Sequence, residues 1–371
     1  MHIKHKKISY IAEINLKSTS AYKQQVLKMC DAFSKKGFAV TLYVINLNDV
    51  KFEQLKRKYL LKSNFKIRQV FNKIEKLNFI TRIIFSFIIY FKLKNKSEII
   101  FSRSVFSSII LSLNKIVNIL EVHQPMLGFT SFLFNFFKKN ILSYTKFILI
   151  NKNINKHLNL KRKLYIIADD GVDLKDFNIK KKIKYQNSCV YTGSLFKGKG
   201  IEIILSLAEK IRKINFYIYG ETRTASKDVI KKCKNLKNIK IFGHVDYCKI
   251  PEILKSHKII LMPYSKAVYG NYKNMNIADF MSPLKLFDYL AAGRIILASK
   301  SNSYSHILKD KKNSLLCNPS NINDWINAIN LVVLKKINLI KLQQNSKKTA
   351  NLYSWDERIN KIMKFINQKY I

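Results

Sequence analysis

The sequence predicts an α/β protein made of two doubly wound parallel-sheet domains in tandem. A strand, helix, strand alternation runs from the first residues, breaks at a polar lysine-rich stretch, and then restarts. The strands of the second half are continuous apolar runs, the pattern of strands covered by helices on both faces. A length of 371 residues is also too great for a single core and points to two domains.

The elements follow in order. "ISYIAEI" (8–14) is a strand, and "KQQVLKMCDAFSKKG" is a helix with Val26, Cys30 and Phe33 at helical spacing and Gly37 as its stop. "FAVTLYVI" (38–45) is the next strand, and further strands fit "SEIIFSR" (97–103), "IVNILEVH" (116–123), "KFILIN" (146–151) and "KLYIIADDGVD" (163–173). The aperiodic "LKDFNIKKKIKYQNS" follows and marks the domain boundary. Beyond it come strand "CVYTGS", helix "GIEIILSLAEKIRK", strands "INFYIYG" and "NIKIFGHV", helix "IPEILKSH", strand "KIILMPY", a long polar loop, a further helix and strand "RIILAS". The last helix, "SWDERINKIMKFINQKY", lies beyond this repeat. Ligands of such sheets bind beyond the C-terminal strand edges, which implies a cleft between the domains.

Charge is the strongest compositional signal. Against 23 Asp+Glu stand 68 Lys+Arg, a net +45 that seeks polyanions or anionic lipid. Residues 1–171 carry +22 and residues 172–371 carry +23, so the excess is spread evenly. A nucleic-acid binder concentrates its bases in one stripe, and none is found. Cysteines at 30, 189, 233, 248 and 317 form no CxxC pair, and no histidine stands at ligand spacing, so neither zinc nor a disulfide framework is indicated. The chain reads as reduced and cytosolic. "MHIKHKKISYIAEI" lacks a long apolar core and a small-residue cleavage site, so no signal peptide is expected. The longest apolar run, "IIFSFIIYF" (83–91), falls well short of the roughly 20 residues of a membrane span.

Four stretches carry chemistry. In "SPLKLFDYLAAGRIILAS" (282–299), Ser282 reads as an N-cap, Pro283 as first-turn proline and Gly293 as a left-handed stop, giving a helix over about 283–292. The polar loop before it, 265–281, is long enough to be functional. The helix start around Ser282, Pro283, Leu284 and Lys285 suits a phosphate, and Asp288, two turns in, suits a vicinal diol such as a ribose. The alternative is a solvated pairing of Asp288 with Lys285 at i−3. "YTGSLFKGKG" (191–200) is a glycine-bearing turn between strand and helix; its glycines, Gly193 among them, let the backbone approach a diphosphate that Lys197 and Lys199 neutralise. Its alternative is a plain solvated turn. "LEVHQP" sets His123 at a strand's C-terminal edge, with no triad partner nearby. "DDGVD" (169–173), with Asp170, is a turn ahead of the boundary.

The ordered set decides more than any member. The first-domain stretch through "SAYKQQVLKMCDAFSKKG", then "EVHQP", "DDGVD", "YTGSLFKGKGIE", "NIKIFGHV", "MPY", "SPLKLFDYLAAGRIILAS" and "YSWDERINKIMKFI" closely resembles glycosyltransferase family 4 over nearly the whole chain. The resemblance implies a GT-B fold, two Rossmann-like domains facing across a cleft. It implies an acceptor-binding domain over 1–172, a linker over 173–187 and a nucleotide-sugar-binding domain over 188–352, with the helix at 353–371 docking back on the first domain. It implies a retaining, metal-independent transfer with no cofactor, the leaving diphosphate receiving the acceptor's proton. Lys199 then stands at the family's diphosphate-binding lysine, Gly193 at its turn, Asp288 at the second glutamate of its two-glutamate motif, and His123 at a histidine that positions the donor sugar. Ser18, Ser20, Tyr22 and Asp170 fall to the acceptor side.

The sequence departs from the family in three places. The motif's first glutamate falls on Phe280, with Asp279 one residue off. Ser194 takes the place of a frequent phosphate-binding arginine, leaving the charge to Lys199 with Lys197 or Lys285. Asp288 is one methylene shorter than glutamate.

Residues 51–96 hold 13 Lys+Arg against Glu53 and Glu75 beside "FITRIIFSFIIYF", and "FTSFLFNFFKK" (129–139) adds a second aromatic and basic patch. Such surfaces hold a domain on an anionic inner leaflet, unless their apolar residues are core and their lysines merely solvated. The expected protein is a bacterial-type, cytoplasmic, peripheral membrane glycosyltransferase acting on a growing, lipid-linked surface glycan, with no nucleic-acid partner. A GT-B epimerase or hydrolase, a degenerate homologue and a polyanion binder are the rivals.

Overall fold

Alternating residues of each central strand point to opposite faces of the sheet, so a strand buried on both faces must be apolar throughout. In the computed structural model Cys189 and Tyr191 pack into one core of the second half, and Val190 between them packs into the other. The structure describes residues 7–46, 49–72, 74, 77–222, 225–269 and 275–368. Residues 270–274 of the expected polar loop and 369–371 of the expected last helix lie outside them.

The chain divides into two units, Met1–Asp170 with Trp355–Ile371, and Gly171–Ser354. The first unit contains β1 (Lys7–Ile11), α1 (Ala21–Lys35), β2 (Ala39–Val44), α2 (Phe52–Tyr59), β3 (Lys66–Gln69), α3 (Phe79–Leu93), β4 (Ile99–Ser102), α4 (Val105–Leu113), β5 (Asn118–Val122), α5 (Gly128–Phe136), α6 (Lys138–Tyr144), β6 (Thr145–Leu149), α7 (Asn155–Leu158) and β7 (Tyr165–Ile167). Its sheet has the order β3-β2-β1-β4-β5-β6-β7, and every pair is parallel. The order reverses between β1 and β4, and there the loops leaving the strand ends diverge.

The second unit contains β8 (Tyr185–Thr192), α8 (Ile201–Lys210), β9 (Asn215–Tyr219), α9 (Lys227–Asn235), β10 (Ile239–Ile241), α10 (Ile250–Ser256), β11 (His257–Met262), α11 (Leu284–Ala292), β12 (Ile295–Ser299), β13 (Leu315–Cys317), α12 (Ile322–Val333) and α13 (Leu339–Leu352). Its parallel sheet runs β10-β9-β8-β11-β12-β13, with the reversal between β8 and β11. The last helix, α14 (Trp355–Asn367), packs on α1 of the first unit and buries Trp355, Ile359 and Ile362.

The edge strands β3 and β13 have no counterpart in the sequence reading. Each is short, and the half-exposed "KIRQ" of β3 carries no apolar run. The stretch 173–187 belongs to the second unit. It begins with a tight turn at Leu174–Phe177 that buries Phe177, whose carbonyl accepts Lys255 Nζ at 2.8 Å, and it ends in β8.

Candidate functional site

The second unit's site begins where β8 ends. Gly193 has φ +136°, and its N–H donates to the Tyr219 carbonyl at 2.8 Å. A Cβ at Gly193 would overlap Lys285 Nζ, so the glycine makes the room this ammonium occupies. Gly200, the cap of α8, has φ +95°, and a Cβ there would strike the Pro263 carbonyl, which fixes the turn against the end of β11.

Two lysines converge on this turn. Lys285 Nζ lies 4.0 Å from the centroid of the Tyr191 ring and 5.5 Å from that of Tyr264, and Lys199 Nζ lies 5.1 Å from Tyr264. Lys285 Nζ is buried and has no hydrogen-bond partner among the described residues. Burial pushes its pKa well below the usual lysine range; neighbouring Lys199 pushes the same way and Asp288 opposes them. Burial alone brings Lys199 down to about 8. The Tyr191 and Tyr264 hydroxyls, raised by their own burial, stay neutral. Two amines on a shared aromatic wall, that of Lys285 buried and without a hydrogen bond, suit a doubly charged anion. No side chain caps the N-terminus of α11, from which Lys285 projects.

Asp288 stands one turn further along α11 and is only 7 % exposed. Its Oδ1 accepts the Tyr247 hydroxyl at 3.0 Å, and burial together with this carboxylate raises the Tyr247 pKa well above its ordinary value. The solvated Asp288–Lys285 pairing is therefore overturned: the carboxylate is buried and the ammonium turns to Tyr191 and Tyr264. Ser282 is not the N-cap. Pro283 holds that position and Ser282 is buried before it, because the helix begins one residue later than the motif suggests. Gly293 closes α11 at φ +60°, in the left-handed region its type suits.

The remaining positions of this unit lie around that centre. The Ser194 carbonyl accepts the Tyr191 hydroxyl at 2.7 Å. Lys197 is exposed, 6.0 Å from the Tyr269 ring centroid, while Leu284 and Phe280 are half-buried. Asp279 lines a hollow of about 240 Å³ beyond β11 and β12 that shares Tyr264 with that wall and is also lined by Ser265, Lys300, Ser301 and Asn302.

The first unit holds a second polar cluster, centred on a residue the sequence reading missed. Glu121 lies in the fully buried β5. Its Oε1 accepts Gln25 Nε2 at 2.7 Å and Arg358 Nη2 at 3.0 Å and lies 2.6 Å from His123 Nε2, while Oε2 accepts the Tyr10 hydroxyl at 3.3 Å. Burial favours protonation of Glu121, but Arg358 first, then His123 and Arg103, hold the carboxyl far below its usual range. Burial, reinforced by Arg103, brings His123 down to about 4, so it is neutral at physiological pH. The ionised Glu121 only accepts, so Nε2 carries the proton and Nδ1 keeps a lone pair for a donor such as a hydroxyl. Burial raises Asp170 to about 7 against the pull of Arg358, whose Nη2 is 3.9 Å from Oδ1. One ligand atom each of Glu121, His123 and Asp170 lies within 4.8 Å of the others, but a cation there would have to displace the Arg358 guanidinium.

A second branch of this cluster runs through Glu13. Its carboxylate lies 2.8 Å from Arg82 Nε and accepts the Ser104 hydroxyl at 2.6 Å, and its N–H donates to the Tyr22 hydroxyl at 3.2 Å. Arg103 stacks 3.9 Å from the Tyr22 ring centroid and donates to Gln25 Oε1 at 2.7 Å. Tyr22 thus joins the network. Ser20 caps α1 by accepting the Lys23 N–H, and Ser18 lies 3.2 Å from Ser20, oxygen to oxygen. The available signal for Glu13 and Glu121 was a carboxylate inside or directly after an apolar strand, where an unpaired charge cannot stay.

Residues 173–351, nearly all of the second unit, match the family model for glycosyl transferases group 1. An uncharacterized glycosyltransferase of Methanocaldococcus jannaschii is 22% identical over 242 residues, 62% of this chain and 61% of its own length. The match thus spans about three-fifths of that curated relative. A glycosyltransferase of Rickettsia africae has a TM-score of 0.76 at 12% identity, covering 99% of this chain and 100% of its own. The HepE protein of Anabaena, solved with UDP and glucose, gives 0.75 at 10% identity over 98% of this chain and 99% of its own. At these identities the likeness is one of fold, and that fold is GT-B, with Rossmann-like units of seven and six strands.

Proposed function

We propose that the chain is a retaining glycosyltransferase of family 4 that moves a sugar from a nucleotide-sugar donor to a growing, lipid-linked surface glycan at the inner face of a bacterial cell membrane. The observation that carries this reading is the pair of ammonium groups, Lys199 and the buried Lys285, on the Tyr191 and Tyr264 wall beside Gly193. A donor diphosphate supplies the negative charge this pair lacks, and the α11 N-terminus adds its dipole. Lys285 provides the second cation that Ser194 does not, so the loss of the family's arginine leaves the charge balance intact. Asp288, held by Tyr247, accepts from the ribose diol.

In the reaction, the bond from the anomeric carbon to the diphosphate oxygen breaks and a bond to the acceptor oxygen forms on the same face. The acceptor's proton goes to the departing diphosphate, whose charge Lys199 and Lys285 stabilise, so neither metal nor cofactor is required. In the first unit, His123 Nδ1 offers a neutral acceptor for a hydroxyl of the donor sugar, while Glu121, held by Arg358, fixes its ring. Hydrolase or epimerase activity would share the donor site and differ in product.

The test is thermal stabilisation by a panel of UDP-, GDP-, ADP- and CMP-sugars, with Lys199→Ala and Asp288→Ala alongside. A donor-specific shift lost in both variants supports the site and names the base. A well-folded chain that no donor stabilises overturns the reading, and a steep salt dependence of oligonucleotide binding that survives both substitutions would favour a polyanion binder.

A further inference from the structure

Large apolar side chains exposed on the first unit gather on two helices. On α3, Ile80, Ile84, Phe87 and Phe91 recur at helical spacing on one face, and Phe91 is 62 % exposed. The opposite face of α3 buries Phe85, Ile89 and Leu93 completely, so the core is already supplied. On α5, Phe129, Phe132 and Phe136 repeat the pattern, and Phe136 is 71 % exposed. Phe79 joins the two helices, its ring 4.9 Å from that of Phe129 at 83°. The row continues through Phe132 and Phe136 at centroid spacings of 5.8 and 6.0 Å. A continuous exposed apolar surface of this kind marks a partner.

The flanks identify the partner's chemistry. Neither α3, α5 nor α6 contains an acid. Lys94 Nζ lies 5.1 Å from the Phe91 ring centroid, Lys92 sits in the last turn of α3, and Lys138 and Lys139 open α6. A second copy would bring one +45 chain against another, which opposes self-association. Phenyl rings rimmed by lysines match the acyl boundary and the phosphates of an anionic bilayer. No helix among the described residues is long and apolar enough to cross a membrane, so an interfacial position is the one open to α3. Ser86 and Arg82 pin α3 to the unit, at 3.0 Å from Ser107 Oγ and 2.8 Å from Glu13 Oε2.

We propose that the α3–α5 aromatic ridge is an insertion surface that seats in the headgroup and acyl boundary of an anionic membrane, with the flanking lysines on lipid phosphates. The inference rests on the peripheral placement proposed above but is tested without donor or acceptor. Transfer without vesicle binding and vesicle binding without transfer are therefore separate outcomes.

The full chain is sedimented with phosphatidylcholine vesicles, with and without phosphatidylglycerol, next to a variant combining Phe87→Ser, Phe91→Ser, Phe132→Ser and Phe136→Ser. The expected result is binding that requires the anionic lipid and weakens at least about tenfold in the variant, whose donor-induced thermal shift is retained. A Phe132→Trp protein guards against misfolding: its added indole should shift to the blue and be quenched by brominated acyl chains. Equal binding of the serine variant and the parent, or an indole that lipid does not quench, overturns the proposal. Concentration-dependent dimers abolished by the same serines, with no vesicle binding, would assign the ridge to a second copy instead.

Discussion

Both units bury charge at the C-terminal edges of their sheets, and they treat it in opposite ways. In the first unit Glu121 is met by Arg358, His123, Gln25 and Tyr10, and Glu13 by Arg82 and Ser104. In the second, Lys199 and Lys285 face aromatic rings, and neither ammonium hydrogen-bonds a carboxylate among the described residues. A buried charge answered within the chain belongs to the architecture, and removing one partner strands the other. A buried charge with no answer costs stability and keeps a place for a ligand.

The sharpest way to break this comparison is stability. Glu121→Ala takes the nearest carboxylate from the buried Arg358 guanidinium and should cost about 3–5 kcal/mol in denaturant unfolding. Lys285→Met, which removes an unsatisfied amine at similar volume, should leave the ligand-free protein as stable as the parent or more so. Equal losses in the two variants would erase the distinction. Next in size is donor affinity. Lys199→Met and Lys285→Met should each weaken it by about 10- to 100-fold in calorimetry, the worth of a charge-assisted hydrogen bond.

The pH dependence sharpens the contrast further. With the folded Lys199 at about 8 and the unfolded lysine near 10.4, the unfolded chain binds more protons between those values. The contribution of Lys199 to ligand-free stability therefore rises with pH in that window, while donor affinity falls because the charged amine is lost. Comparing Lys199→Met with the parent across the window should show both trends weakened in the variant. The smallest effect is at Asp288. Asp288→Asn keeps a partner for Tyr247 and should weaken ribonucleotide donors by about 1 kcal/mol, with no penalty for donors lacking the ribose hydroxyls.

Much of this was readable in the sequence where the cause is local. Pro283 and Gly293 bracket α11, and the apolar runs at 189–192, 259–262 and 295–298 mark strands covered on both faces. The Gly193 turn is legible because only a residue without Cβ accepts its φ beside Lys285. Where Lys285 points was not legible. Its i−3 spacing to Asp288 suggests a solvated pair, and only the packing of α11 beside the end of β8 turns it onto Tyr191 and Tyr264. The short edge strands β3 and β13 lack the length for a periodic signal.

The sequence by itself determined the two parallel-sheet units, the turn at Gly193 and the place of Asp288 within its helix, because strand period, glycine conformation and helix caps act over a few residues. The tertiary structure alone decided which charges meet. Arg358 reaches Glu121 across 237 positions of chain, and Lys199 and Lys285 come to share the Tyr264 ring from the turn after β8 and from α11. Charge pairing depends on distance and burial in space, and neither quantity is written in spacing along the chain.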